Sequence, residues 1–159
     1  MLKTFHKRLL CELLKNSRRS DRELAKVLGV SQPTVTRARA KLVNEGLIRE
    51  FTVIPNFKKM GYELMAITFG KYRAKFMRTP ELLEKVGKWL NEHPNIIFAS
   101  KSEGMGKDAL IITLHRNYTE YAQFLQEIRV KYGAFTQDHE SIIITMDEPT
   151  AKPLSLKGL

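Results

Sequence analysis

Apolar positions recur at helical spacing three times before residue 45, and alternate in short runs after residue 63. Phe5, Leu9, Leu10, Leu13 and Leu14 form one stripe, which predicts a helix ending near Asn16 and Ser17. Ser20-Asp21-Arg22-Glu23 has the form of a capping box, and Leu24, Ala25 and Leu28 give the helix behind it an apolar face that stops at Gly29. Ser31 is a good N-cap and Pro33 sits in the first turn, where a missing N–H costs nothing. Val35, Ala38 and Leu42 then make an apolar stripe, while Pro33, Thr36, Arg37, Ala40, Lys41 and Asn44 occupy the opposite face. Glu45-Gly46 ends that helix. Residues 47–54 read as an extended wing or strand, broken by Pro55.

The second half alternates. Met65, Ile67 and Phe69 predict a strand with Leu64 and Ala66 on its other face. Thr79-Pro80-Glu81 opens a helix whose inward residues are Leu83, Val86 and Leu90. A strand over 96–101, a glycine-bearing loop over 103–107 and a strand over 108–115 follow. Asn117 and Glu120 form a second capping box, opening a helix with Tyr121, Phe124, Leu125 and Ile128 inward. Gly133 ends it, and Ile142, Ile144 and Met146 mark the last strand. The order is βαββαβ, a ferredoxin-like split. The fold class is α+β, with a winged helix-turn-helix over 1–55, a hinge over 56–63, a βαββαβ domain over 64–147 and a mobile tail over 148–159. Two helices cover only one face of four strands. Leu64, Ile97, Ile111 and Ile143 are therefore expected on a face buried by another subunit, against the alternative of an ordinary, partly apolar surface.

Charge sharpens this division. Of the formal +10, residues 1–61 carry +9, with 14 Lys and Arg against 5 Asp and Glu. A basic module joined to a near-neutral one suits a nucleic-acid binder with a second task. Cys11 is the single cysteine, which excludes an intrachain disulfide and a zinc cluster and points to a reducing, cytoplasmic setting. No apolar run approaches membrane-spanning length and the N-terminus lacks a signal-peptide core, so no membrane role is expected. The four histidines show no metal-ligand spacing, and no phosphate loop or nucleophile signature appears. Neither metal nor cofactor nor catalytic residue is expected.

A short helix, a glycine turn and a second helix with a small basic face make a helix-turn-helix. Its expected contacts to double-stranded DNA are Gln32, Pro33, Thr34, Thr36, Arg37, Arg39, Ala40 and Lys41. Lys15, Arg18 and Arg19 in the preceding loop either meet phosphates or are simply solvated. The basic stretch from Lys71 to Arg78 is open between a second DNA contact, a partner site and an exposed loop.

This arrangement resembles the Lrp/AsnC (feast/famine) transcription regulators over residues 2 to about 147. The resemblance rests on Glu23-Leu24-Ala25, on Val30 through Val35, on Leu42, on Glu45-Gly46-Leu47-Ile48 and on Met60-Gly61-Tyr62. It implies operator binding through the helix-turn-helix, a homodimer or larger homo-oligomer through a RAM/ACT-like C-terminal sheet, and an amino acid or related effector at the subunit interface. Two positions depart from the family pattern. Arg39 stands where an aliphatic core residue is usual, so the helix either sits differently or exposes more basic surface. Met105 stands where the effector loop usually has glycine, with Gly104 and Gly106 around it before Asp108. Gly104, Gly106 and Asp108 are the candidate effector residues; the alternative is that Asp108 caps the turn. The competing function is a tetrapyrrole (siroheme-type) decarboxylase of similar architecture, using some of His115, Tyr72 or Arg73. A third reading is an architectural DNA binder with little sequence preference.

Overall fold

The computed structural model describes residues 3–74, 79–147, 152 and 154–158. The segment 75–78, within the basic stretch singled out above, and much of the expected tail lie outside the described residues. The chain divides into two units, Met1–Ile54 with Lys152–Leu159, and Pro55–Ala151. No helix among the described residues is long and apolar enough to cross a membrane.

The first unit is built from α1 (Thr4–Lys15), α2 (Asp21–Leu28) and α3 (Gln32–Asn44). Local chemistry sets each boundary. The Ser20 hydroxyl accepts from the Glu23 amide at 3.3 Å while the Glu23 carboxylate takes the Ser20 amide at 2.7 Å, so both halves of the capping box form. Gly29 closes α2 at φ +70°, a conformation that costs a glycine little. The stripes meet in one core: Leu9, Leu24, Val35 and Leu42 have no exposed surface, and Leu13, Ala25, Leu28 and Ala38 are buried around them. Each buried leucine or valine contributes roughly 1.5–3 kcal/mol.

After α3 the chain turns at Gly46, φ +70°, and the amides of Leu47 and Ile48 both donate to Leu42 O, at 2.9 and 3.0 Å. Ile48 packs on the core. Of the two forms expected for residues 47–54, a wing or a strand, the strand does not form: residues 49–54 join no ladder among the described residues, and Phe51, Val53 and Ile54 are exposed. A single segment without a neighbouring strand has nothing to satisfy its backbone as a ladder.

The second unit opens with an ordered turn, a 3-10 helix at Lys58–Met60 closed by Gly61 at φ +89°. The rest is β1 (Leu64–Tyr72), α4 (Pro80–Glu92), β2 (Ile96–Gly104), β3 (Lys107–His115), α5 (Tyr118–Tyr132) and β4 (Thr136–Thr145). The sheet is antiparallel in the order β2-β3-β1-β4. Both helices lie on one face. The His115 ring, fully buried, meets Tyr121 and Phe124 of α5 at 5.4 and 5.3 Å, and Trp89 of α4 stacks on Phe124 at 6.1 Å.

Register assigns the two faces. Leu64 pairs with His115, Ala66 with Ile143 and Thr68 with Ile111. Residues paired directly across strands share a face, so Leu64, Ile111 and Ile143 lie on the helix-covered side, not on the free side expected from sequence. Ile97 sits at a register shift in β2. The uncovered face instead carries a row running through all four strands, Phe98, Ile112, Ile67 and Ile142, flanked by Met65, Phe69, Leu110 and Ile144.

Two expected caps also differ. Thr79 makes no side-chain bond to α4. Asn117 caps α5 at 2.9 Å through the Glu120 amide, but the Glu120 carboxylate turns to the Arg116 amide and to Asn95, so the box is half made. On α4 the inward residues are Leu82, Val86, Trp89 and Leu90, with Leu83 exposed.

Candidate nucleic-acid interface

The candidate surface is α3, fixed at its start by its own sequence. Ser31 accepts from the Thr34 amide at 3.4 Å, its hydroxyl also meets the Thr34 hydroxyl at 2.8 Å, and Pro33 occupies the first turn. Val35, Ala38 and Leu42 bury the inner face, which turns Gln32, Pro33, Thr34, Thr36, Arg37, Ala40 and Lys41 to solvent. Two open grooves flank Arg37. One, about 250 Å³, is lined by Phe5, His6, Thr34, Arg37, Ala38 and Lys41; the other, about 480 Å³, by Gln32, Pro33, Thr36 and Arg37.

The cations on this unit fall into two groups. Lys15 and Arg19 both pair with Glu12, and Lys41 lies 3.4 Å from Glu45 with both side chains half exposed. Exposed pairs of the last kind contribute little and open readily for another anion. Arg37, Arg18, Arg22 and Lys26 form no ion pair among the described residues.

Arg39 is placed otherwise than the sequence led us to expect. Its Nη2 lies 2.7 Å from Asp21 Oδ1 and donates to the Arg19 carbonyl at 3.0 Å, while its Nε is buried without a partner among the described residues. The position is the inward edge of α3, next to the start of α2, so the guanidinium braces the helix-turn-helix instead of extending its basic face. Asp21 also takes the Thr36 hydroxyl at 2.7 Å. Read from sequence, Asp21 was merely the second residue of a capping box; its contacts lie 15 and 18 residues away and no local pattern announces them. Phe5, part of the apolar stripe of the first helix, and His6, which the sequence does not single out, wall one of the grooves.

The candidate effector residues gather at the β2–β3 hairpin. Gly104 (φ +139°), Met105 (φ +52°) and Gly106 (φ +70°) form its tip, where glycines relieve two of three positive φ angles. Asp108 Oδ2 accepts from the Tyr72 amide at 2.9 Å, and Oδ1 has no partner among the described residues. Lys107 beside it is committed to Asp138 at 2.6 Å and Glu140 at 3.1 Å. Burial, with Asp108 adding to it, pushes the Tyr72 phenol up.

His115 does not assemble with Tyr72 and Arg73, the other residues named for a decarboxylase. His115 pairs with Leu64 at the start of β1, and Tyr72 lies eight residues along that strand, about 26 Å away at strand rise. His115 is enclosed among aromatic rings, its Nε2 2.8 Å from Thr113 Oγ1.

Comparison with known proteins agrees with this geometry. Residues 2–49 match a family of winged helix-turn-helix DNA-binding domains. An uncharacterised HTH-type transcriptional regulator of Pyrococcus furiosus is 29% identical over 148 residues, spanning 92% of this chain and 95% of its own. Other curated relatives, also HTH-type regulators of Pyrococcus, are more alike but over less: the chain spans about half of their length, 53% in one that is 39% identical over 84 residues. An AsnC family transcriptional regulator from Agrobacterium tumefaciens superimposes with a TM-score of 0.80 at 18% identity, over 96% of this chain and 95% of that one. A transcriptional regulator of Neisseria meningitidis in complex with L-Met gives 0.78 at 17%, over 98% and 97%.

Proposed function

We propose that this chain, whose residues 2–49 match winged helix-turn-helix DNA-binding domains and whose fold is that of an AsnC family regulator, binds duplex DNA sequence-specifically as a homodimeric transcriptional regulator of the Lrp/AsnC type. The observation that carries this reading is the outward face of α3, where Arg37 has no ion-pair partner among the described residues and stands between two open grooves. An unpaired guanidinium on a helix slim enough for the major groove is the side chain best matched to the O6 and N7 acceptors of guanine. Gln32, Thr34, Thr36 and Lys41 complete the surface, and the unpaired cations of α2 and its preceding loop supply phosphate contacts. The half-open Lys41–Glu45 pair releases its cation to DNA at little cost.

Dimerisation is assigned to the uncovered sheet face. Phe98 and Ile142 there are about half exposed, and a contiguous apolar row of this kind marks a protein contact. Two-fold symmetry then requires an inverted-repeat operator with half-sites one or more helical turns apart, roughly 10 bp each. Enrichment of bound sequences from random duplex DNA tests the whole reading. An inverted repeat with defined bases is the expected result. Bound DNA without sequence preference would leave an architectural binder, and no binding would end the DNA reading.

A small effector at the Gly104–Asp108 hairpin is the further part of the proposal. Asp108 Oδ1, without a partner among the described residues, suits an ammonium group, and the Neisseria regulator of this fold holds L-Met. Such a ligand must change association or DNA affinity, since it acts by preferring one state. Thermal shift with each amino acid, repeated on Asp108→Ala, checks it; a hit that the variant retains would move the site elsewhere.

A further inference from the structure

On the outward face of α3, Thr36 has its hydrogen bonding fixed before DNA arrives. Its Oγ1 lies 2.7 Å from Asp21 Oδ2 and 3.2 Å from the Gln32 carbonyl of its own helix. Both neighbours are acceptors, so the hydroxyl proton is directed inward to one of them. What remains for a partner in solvent is the acceptor side of the oxygen and the methyl group. Asp21 is held in turn. Its Oδ1 meets Arg39 Nη2 at 2.7 Å, the same nitrogen donates to the Arg19 carbonyl at 3.0 Å, and the pair is only 20–23% exposed. The carboxylate therefore cannot swing away from Thr36 without breaking the brace between α2 and α3.

We infer that Asp21 is a positioning residue for base recognition: it holds Thr36 as a hydrogen-bond acceptor towards the major groove. This rests on the reading that α3 enters that groove. The groove presents donors at the exocyclic amines of cytosine (N4) and adenine (N6), and acceptors at the keto oxygens of guanine and thymine. An acceptor-only Thr36 selects an amine on the strand it faces. In Asp21→Asn the amide oxygen stays with Arg39 and the amide nitrogen faces Thr36 as a donor. The Thr36 proton is then shared between the longer contact to the Gln32 carbonyl, 3.2 Å, and solvent, and the preference for an amine weakens.

Enrichment from random duplex DNA with the full chain tests this, comparing wild type, Thr36→Val, Thr36→Ser and Asp21→Asn, each first checked by thermal melting. Wild type is expected to show one position per half-site fixed as C·G or A·T in a constant orientation, with a discrimination of roughly 2- to 12-fold, the ratio one hydrogen bond supplies. Thr36→Val loses the preference at that position while the rest of the motif stays, and Thr36→Ser keeps it. Asp21→Asn relaxes the preference at that position, because the proton is no longer fixed by the carboxylate, against unchanged neighbours. A Thr36→Val motif identical to wild type, or an Asp21→Asn motif that is unchanged or lost throughout, overturns the inference and leaves sequence-specific binding intact. A wild type that selects no motif overturns both together.

Discussion

Arg37 and Arg39 stand two residues apart on one helix, and their guanidinium groups have opposite fates. Arg39 is tied to Asp21 at 2.7 Å and to the Arg19 carbonyl, whereas Arg37 reaches solvent with no ion-pair partner among the described residues. The separation is set by helix geometry: at 100° per residue, two positions place them on different sides of α3. Exposure and bracing are thus divided between neighbouring arginines.

Arg37→Ala is expected to weaken specific DNA binding by about 1–3 kcal/mol and to relax the preference at one base pair. Fluorescence anisotropy with the enriched operator and with a scrambled duplex measures both. Equal affinity for the operator before and after substitution would remove Arg37 from the reading set.

Arg39→Ala should behave differently. The lost brace lies between an exposed pair and a buried one, so the expected cost is about 1 kcal/mol of stability, a fall of several degrees in the melting temperature for a domain of this size. The dependence of DNA affinity on salt should keep its slope, because Arg39 neutralises no phosphate. A shallower slope would place the guanidinium on the DNA backbone instead.

Burial holds the imidazoles of His115 and His139 below the ordinary value of 6.5. A base with a depressed folded pKa binds its proton more readily when unfolded. Stability from keeping these rings neutral is therefore complete above pH 6.5 and declines as pH falls below it, down to the folded value. Glu127 titrates in a separate window: hydrogen bonds from Lys131, then Trp89 and His93, hold its carboxylate down at about 2. Its contribution is present above 4.5 and lost between 4.5 and about 2. Urea midpoints at pH 7.5 and 5.5 should differ in wild type, and by less in His115→Phe, which keeps a ring against Tyr121 and Phe124. An identical pH dependence in the two proteins would assign the effect to other groups.

Local chemistry was legible in the sequence and long-range chemistry was not. The helices of the first unit follow from Ser20 with Glu23, Gly29, and Ser31 with Pro33, because a cap or stop is decided within four residues. The sheet faces were assigned the wrong way round because Leu64 and Met65, like Ile142 and Ile143, are apolar on both sides of the strand, and alternation cannot choose between them. The first half of β4 carries no apolar alternation, since Gln137, Asp138, His139 and Glu140 are polar at a sheet edge. Trp89, which stacks on Phe124 and donates to Glu127 at 2.9 Å, was hidden among the charged residues of α4. On α3 the outward face was read correctly from periodicity, but the inward turn of Arg39 depends on Asp21, eighteen residues earlier.

Ile112 lies at the centre of the row that joins Phe98, Ile67 and Ile142 across all four strands, on the side that neither α4 nor α5 covers. A carboxylate there is tolerated by a monomer, in which it meets water, and opposed in a face-to-face pair, where two copies of the charge approach a symmetry axis without a cation. Ile112→Asp should therefore sediment as a folded monomer at micromolar concentration, while wild type sediments as a dimer or larger. The same substitution should weaken binding to an inverted repeat far more than to a single half-site, because linking two half-sites multiplies affinity. Ile111→Asp, one residue away but facing the helices, should instead unfold the second unit. An Ile112→Asp protein that remains dimeric would place the interface outside this face.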